Sequence, residues 1–104
     1  MKTKEHTCER TISMIGNKWI LMIVNEFNTK KEPLRFNFLL EKLSPISSKT
    51  LSGKLKELVK YNILEKKISS MDPIIVSYEM TKKGEDLAGL FNSMIKWGKK
   101  WQEN

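Results

Sequence analysis

Histidine and cysteine occur once each in this chain, and that scarcity excludes a good deal. A single cysteine, Cys8, rules out an internal disulfide framework and fits a reducing cytoplasm. One histidine, His6, leaves no imidazole trio for a zinc centre, and two potential ligands so close together make no metal site alone. Paired carboxylates are missing apart from Glu85-Asp86. Adjacent helical residues do not converge on one point, so that pair reads as favourable charge at a helix N-terminus. Gly84 and Gly89 have the spacing of two phosphate-loop glycines, but Leu90 stands where lysine is required. The longest apolar run, Trp19 to Val24, is far too short to span a bilayer. Lys2 and Lys4 lead into Glu5, His6 and Thr7 and not into an apolar stretch, so no signal peptide is expected. Repeats and low-complexity segments are absent. The expectation is a cytoplasmic protein with no enzymatic activity, no cofactor, no metal and no membrane partner.

What the chain does have is positive charge. Its 104 residues fit one domain, with one core and little room for a deep cleft. The net charge is +7 and the pI about 9.6, which points to an anionic partner. Ser44 to Ile68 holds six lysines and two glutamates, so over half the excess sits in a quarter of the chain.

Within that quarter, Ser47 to Tyr61 carries the pattern of a DNA-reading helix. Ser47 is a good N-cap, and Ile46 and Leu51 have the spacing of a hydrophobic staple. Leu51, Leu55, Leu58 and Val59 fall on one helical face, at about 100° per residue. Lys49, Gly53, Lys56 and Lys60 gather opposite, flanked by Thr50, Ser52 and Lys54. A solvated lysine stripe would look the same. Gly53 favours a groove-bound helix, because an exposed helical glycine costs about 1 kcal/mol and close approach to another surface is one justification.

Around that helix the chain reads as follows. A first helix covers Cys8 to Ile15, with Ile12 and Ile15 as apolar contacts, and residues 1–7 form a flexible arm. Gly16 and Asn17 break it. A second helix, Lys18 to Phe27, is apolar nearly all round and should lie at the centre of the core. Asn28 to Pro33 is a polar loop, and Leu34-Arg35 a short strand. Asn37 caps a third helix with Phe38, Leu39, Leu40 and Leu43 facing inward, ended by Ser44 and Pro45. Two helices joined by so tight a turn make a helix-turn-helix. Strands at Ile63 to Ser69 and Ile75 to Met80, with a turn at Ser70 to Pro73, form a wing. Thr81 caps a last helix reaching about Trp101. Its apolar stripe, from Leu87 to Trp101, is wider than one small domain needs. A helix folded on its own core is the alternative to a dimer seam, which the stripe and Gly98 favour.

This order of elements resembles the HxlR-type winged helix-turn-helix regulators, relatives of the MarR group. The matching pieces are Glu9-Arg10, Ile15-Gly16-Asn17-Lys18-Trp19, and Arg35-Phe36 with Leu39 and Leu43. Ile46-Ser47 follows, with Lys49, Leu51, Leu55, Glu57 and Leu58. Ile63-Leu64-Glu65, Pro73, Tyr78, Thr81, Gly84 and Trp97 complete the set. The resemblance implies a mainly α fold with a small β-hairpin, dimerising through its N- and C-terminal helices. It also implies a transcription factor that binds palindromic or near-palindromic double-stranded DNA.

Five departures stand out. The family usually has arginine at Lys54 and a larger polar residue at Gly53. It commonly has a basic residue at Ile75 and a second proline at Ile74, so Lys66 and Lys67 remain as the wing's phosphate contacts. Its N-terminal cysteine, redox-active in some members, aligns with His6, two residues from Cys8. Cys8 is therefore a candidate redox residue, although a small thiol without function is the commoner situation.

The expected DNA-binding residues are Ser48, Lys49, Thr50, Ser52, Gly53, Lys54, Lys56 and Lys60, with Arg35, Lys66 and Lys67. The expected dimer residues are Ile12, Phe91, Met94, Trp97, Gly98 and Trp101. A single winged-helix domain over 1–104, acting as a homodimer with an inducer still to be identified, is the reading adopted. A winged-helix module that binds protein partners, and weakly specific chromatin or RNA binding, are the alternatives.

Overall fold

Asn17 and not a loop separates the first two helices. In a computed structural model, which describes residues 4–70 and 72–102, α1 (Lys4–Ile15) ends at Gly16. The Asn17 side chain then accepts the backbone N–H groups of Trp19 and Ile20, which starts α2 (Lys18–Lys30) at once. The first helix thus begins at Lys4, so residues 4–7 of the expected arm are helical and residues 1–3 lie outside the described part. The second runs a turn past Phe27, taking Asn28 to Lys30 out of the expected loop. It is also less central than its composition suggests. Ile20, Ile23, Val24 and Phe27 are buried, whereas Met22 is exposed.

Leu34 makes a single bridge to Tyr78, with both backbone hydrogen bonds at 2.8 Å, and not a strand with Arg35. α3 (Phe36–Lys42) begins before Asn37, with Arg35 as its N-cap and no side-chain cap. Asn37 is therefore inside the helix. Leu39 and Leu43 are buried as expected, but Phe38 is turned to the surface under Lys30, whose Nζ lies 5.6 Å from its ring centroid. A tight turn through Pro45 leads to α4 (Ser48–Lys60).

The hairpin pairs β1 (Leu64–Ile68) with β2 (Val76–Met80), antiparallel, from Leu64 opposite Met80 to Ile68 opposite Val76. Each strand is shorter than its apolar stretch, and Met71 of the expected turn lies outside the described residues. The last helix is split. Thr81 caps only a single turn, α5 (Lys82–Glu85), and after Asp86-Leu87 the chain re-enters α6 (Ala88–Trp101). Gly84 explains the stop. It is buried so tightly that a Cβ would meet the Ile63 carbonyl oxygen and the Met80 sulfur. That close approach docks α5 on the base of the wing.

The core joins Ile20, Ile23, Val24 and Phe27 to Leu39, Leu51, Leu55, Leu58, Ile63 and Leu64. Among the described residues α1 anchors on it through Ile15 and Met14, and α6 through Phe91 and its N-cap Leu87. The rest of both helices projects. The radius of gyration is 15.2 Å, against about 13 Å for a compact chain of this length. The fold is mainly helical with a two-stranded wing. Among the described residues no helix is long and apolar enough to cross a membrane.

Candidate nucleic-acid interface

Hydrogen bonds fix α4 at both ends. At the start, Ser47 Oγ accepts the Thr50 N–H at 3.0 Å and donates to Thr50 Oγ1 at 2.9 Å. Ile46 and Leu51 are buried beside it, as a staple requires. At the end, Asn62 adopts φ 61, in the left-handed region that asparagine tolerates. The Asn62 N–H reaches the Val59 carbonyl and the Ile63 N–H the Leu58 carbonyl, both at 2.9 Å, which is a Schellman cap. Thr81 Oγ1 then donates to the Asn62 carbonyl at 2.6 Å, and Lys83 Nζ to the Tyr61 carbonyl at 2.7 Å. A cation at a helix C-terminus is favourable in itself. Thr81 and Lys83 were not among the expected site residues. Their signal was the threonine three residues before Gly84, which reads as a cap but does not say which distant carbonyls it will hold.

Leu51, Leu55 and Leu58 are fully buried, so the opposite face of α4 is the free one. Lys49, Gly53, Lys56 and Lys60 are exposed on it. Val59, expected to face inward, is instead at the surface, because α4 turns only three of its apolar positions into the core. Ser48 is exposed in the first turn, and Thr50 and Ser52 are half-buried on the flank. Lys54 differs from the other lysines. It is half-buried, and its Nζ lies 3.1 Å from Glu57 Oε2 one turn on, so its charge is paired within the helix. Nothing lies within 4 Å of the position a Cβ would take at Gly53, so packing inside the chain does not require this glycine.

Arg35 is exposed at the start of α3. On the wing, Lys66 and Lys67 point to opposite faces, since side chains alternate along a strand. Lys67 Nζ sits 3.2 Å from Glu65 and 3.6 Å from Glu79. The hydrogen bond and charge of Glu65, then the charge of Glu79, hold the Lys67 ammonium above its ordinary pKa. Glu65 and Glu79 face each other across the ladder, where like charges repel, and Lys67 relieves that repulsion. Lys66 makes no such pair among the described residues.

The expected seam residues divide. Phe91 is 5% exposed and belongs to the core of its own chain, so it is not free for a second copy. Phe91 lies in the first turn of α6, next to Leu87, which also packs on the core. Ile12, Met94, Trp97 and Trp101 are exposed, the tryptophans at 57% and 65%. Nothing lies within 4 Å of a Cβ placed at Gly98. Cys8 is an exposed free thiol on α1.

Similarity to known proteins agrees with this geometry. The sequence pattern of the HxlR-like helix-turn-helix family matches residues 14–104. The chain is 33% identical over 97 residues to the HTH-type transcriptional regulator YdzF of Bacillus subtilis (strain 168), covering 93% of this chain and 88% of that protein. The reduced form of the transcriptional regulator YodB from B. subtilis superposes with a TM-score of 0.82 at 30% identity, over 99% of this chain and 97% of that one. A MarR-family regulator from Enterococcus faecalis V583 shares the fold, with a TM-score of 0.86 at 23% identity over 99% and 92%.

Proposed function

The chain belongs to the family of HxlR-like helix-turn-helix transcriptional regulators, and from that premise we propose that it binds a palindromic or near-palindromic operator as a homodimer. The observation that carries the dimer is surface. The chain exposes 7965 Å², whereas a compact monomer of 12.2 kDa exposes about 6,100 Å². The excess of about 1,900 Å² is more than the ~800 Å² per partner of a standard interface. Two helices offer faces for such an interface, with Ile12, Met94, Trp97 and Trp101 exposed on them. A second copy that buries those faces would remove them from water at about 25 cal/mol per Å².

A two-fold dimer presents α4 twice. Two such helices enter successive major grooves on one side of the duplex, about 34 Å apart. Lys49, Lys56 and Lys60 supply phosphate contacts, with Arg35 adding one at the start of α3. Ser48, Thr50 and Ser52 lie nearer to base edges, where short hydroxyls can serve any groove atom. Gly53 lets the helix backbone approach closely. Lys54, tied to Glu57, orients the helix surface more than it neutralises phosphate. Such a protein works in the cytoplasm.

The experiment has two arms. Sedimentation at tens of micromolar reports assembly, and binding at one salt concentration compares a selected palindrome, random duplex and structured RNA. A dimer that prefers the palindrome is the expected result. A monomer with equal affinity for all three nucleic acids contradicts the proposal. A dimer that binds none of them points to a protein-binding module.

Cys8 enters this proposal only through its place on α1, one of the two projecting helices. Oxidation of an exposed thiol there could alter the seam. Equal DNA affinity of the parent and Cys8→Ser, each with and without mild peroxide, would remove it from the mechanism.

A further inference from the structure

A cavity of about 410 Å³ opens between the end of α2, the loop that follows it, β2 and the α5–α6 junction, and no α4 residue lines it. Small-molecule pockets span about 300–1,000 Å³, so this one is large enough for a ligand. Phe27, itself buried, lines it with Met80 and Ala88 as apolar surface. Three carboxylates line it as well, Glu32, Glu79 and Glu85, against the single cation Lys31, in a chain of net charge +7. The side chains of Glu32, Glu85 and the half-buried Asn28 make no hydrogen bond or ion pair among the described residues. Glu79 is shared with Lys67, at 3.6 Å. Polar groups left without partners around an apolar surface are what a bound molecule satisfies.

We propose that this cavity is a binding site for a small organic cation, an aryl-alkyl ammonium, and that its occupancy changes the affinity for DNA. The second half rests on the operator-binding reading above. The lining sets the sign of the ligand. An anion would meet three carboxylates and one lysine, and a neutral molecule would leave the excess negative charge unanswered. The apolar surface sets the body, because a bare ion would leave Phe27, Met80 and Ala88 unfilled. Among the described residues no three acidic, histidine or cysteine side chains converge on a metal position, which also favours a diffuse organic charge. The route to DNA is short. Met80 precedes Thr81, whose hydroxyl holds the Asn62 carbonyl in the cap of α4. Glu85 follows Gly84, which lies against the Ile63 carbonyl, and Ala88 opens α6. A molecule that touches all these elements favours the arrangement that fits it best, and its binding is then linked to that of the operator.

The test is calorimetric titration of the full chain with three probes that share a phenyl ring: benzyltrimethylammonium, benzyl alcohol and benzoate. The cation should bind about tenfold more tightly than the alcohol, and benzoate more weakly than either. The double variant Glu32→Gln with Glu85→Gln, both at exposed positions, should lose the preference for the cation while still binding the alcohol. Ala88→Phe fills the cavity and should weaken cation and alcohol alike, and circular dichroism verifies that the variants fold. With a palindrome selected by the parent from random duplex, the cation should shift DNA affinity about fivefold or more, and should leave that of Ala88→Phe unmoved. Equal affinity for the three probes, no binding of the cation at about 10 mM, or a double-glutamine variant that still prefers it overturns the site. Selective binding with unchanged palindrome affinity overturns the coupling to DNA. A parent that selects no palindrome overturns the operator reading, and the titrations, which contain no DNA, decide the site separately.

Discussion

Replacing Lys56 by glutamine in both protomers is the most direct probe of the reading helix. Lys49, Lys56 and Lys60 are exposed on one face of α4 and make no ion pair among the described residues. If each of these and Arg35 neutralises one phosphate, a dimer makes eight such contacts, and the logarithm of affinity falls with that of salt with a slope of about −7.2. Between 50 and 200 mM salt that slope weakens binding about 20,000-fold. Lys56→Gln removes two contacts per dimer, so the slope should become about −5.4 and the loss about 2,000-fold. Lys54→Gln is the internal control. Its ammonium is half-buried against Glu57, so the slope should move much less. Glu57→Gln should move it the other way, by freeing Lys54 and deleting a negative charge. Fluorescence anisotropy with a labelled duplex at five or six salt concentrations gives all three slopes. Equal slopes for Lys56→Gln and Lys54→Gln would refute the division of labour on α4, and an unchanged slope for Lys56→Gln would refute the assigned face.

Gly84→Ala should destabilise the fold by about 1–3 kcal/mol, because its methyl group would strike the Ile63 carbonyl and Met80. Gly89→Ala, open on all sides, should be neutral or stabilising, and thermal unfolding separates the two. Gly53→Ala should stabilise α4 by about 1 kcal/mol yet weaken DNA binding if backbone approach is the glycine's purpose. Unchanged DNA affinity would remove that purpose. Gly53→Gln adds a side chain able to read a base and should change which palindrome is preferred. Trp101→Ala or Trp97→Ala should weaken the dimer by about 2 kcal/mol, roughly thirtyfold in Kd, by sedimentation. Burial pushes the Tyr78 phenol above its ordinary 10.0. The folded state therefore resists its ionisation. Its contribution to stability is intact below pH 10.0 and is lost as the pH climbs from there through the raised value. Tyr78→Phe should hold stability longer on the alkaline side, and coincident alkaline unfolding curves would contradict this.

Local patterns determined much of this protein. The Ser47 cap, the staple of Ile46 with Leu51, and the burial of Leu51, Leu55 and Leu58 all follow from residues within one helix, where spacing and capping act over a few positions. The existence of the hairpin, the cap at Thr81 and the family pattern from Glu9 to Trp97 were legible for the same reason. Boundaries were less so. Asn17 reads equally well as a breaker or as a cap, and only its side-chain contacts decide.

Tertiary structure decided what each patterned face meets. Phe38 and Val59 sit at helically correct positions but face solvent, because the small core is filled before their turn comes. Lys54 and Lys67 are lysines like the rest by composition, yet each is held by carboxylates whose approach depends on the fold. Phe91 belongs to the core and Trp97 and Trp101 to the surface, a division within one helix that its apolar stripe does not announce. Gly84 lies against the carbonyl of Ile63, twenty-one positions earlier in the chain, a contact equally invisible to local spacing. The sequence alone determined a basic reading helix, a wing and a stripe of aromatics. Which cations remain free for phosphate, and which aromatics remain free for a second copy, depends on contacts between residues far apart in the chain. Local periodicity does not encode such contacts.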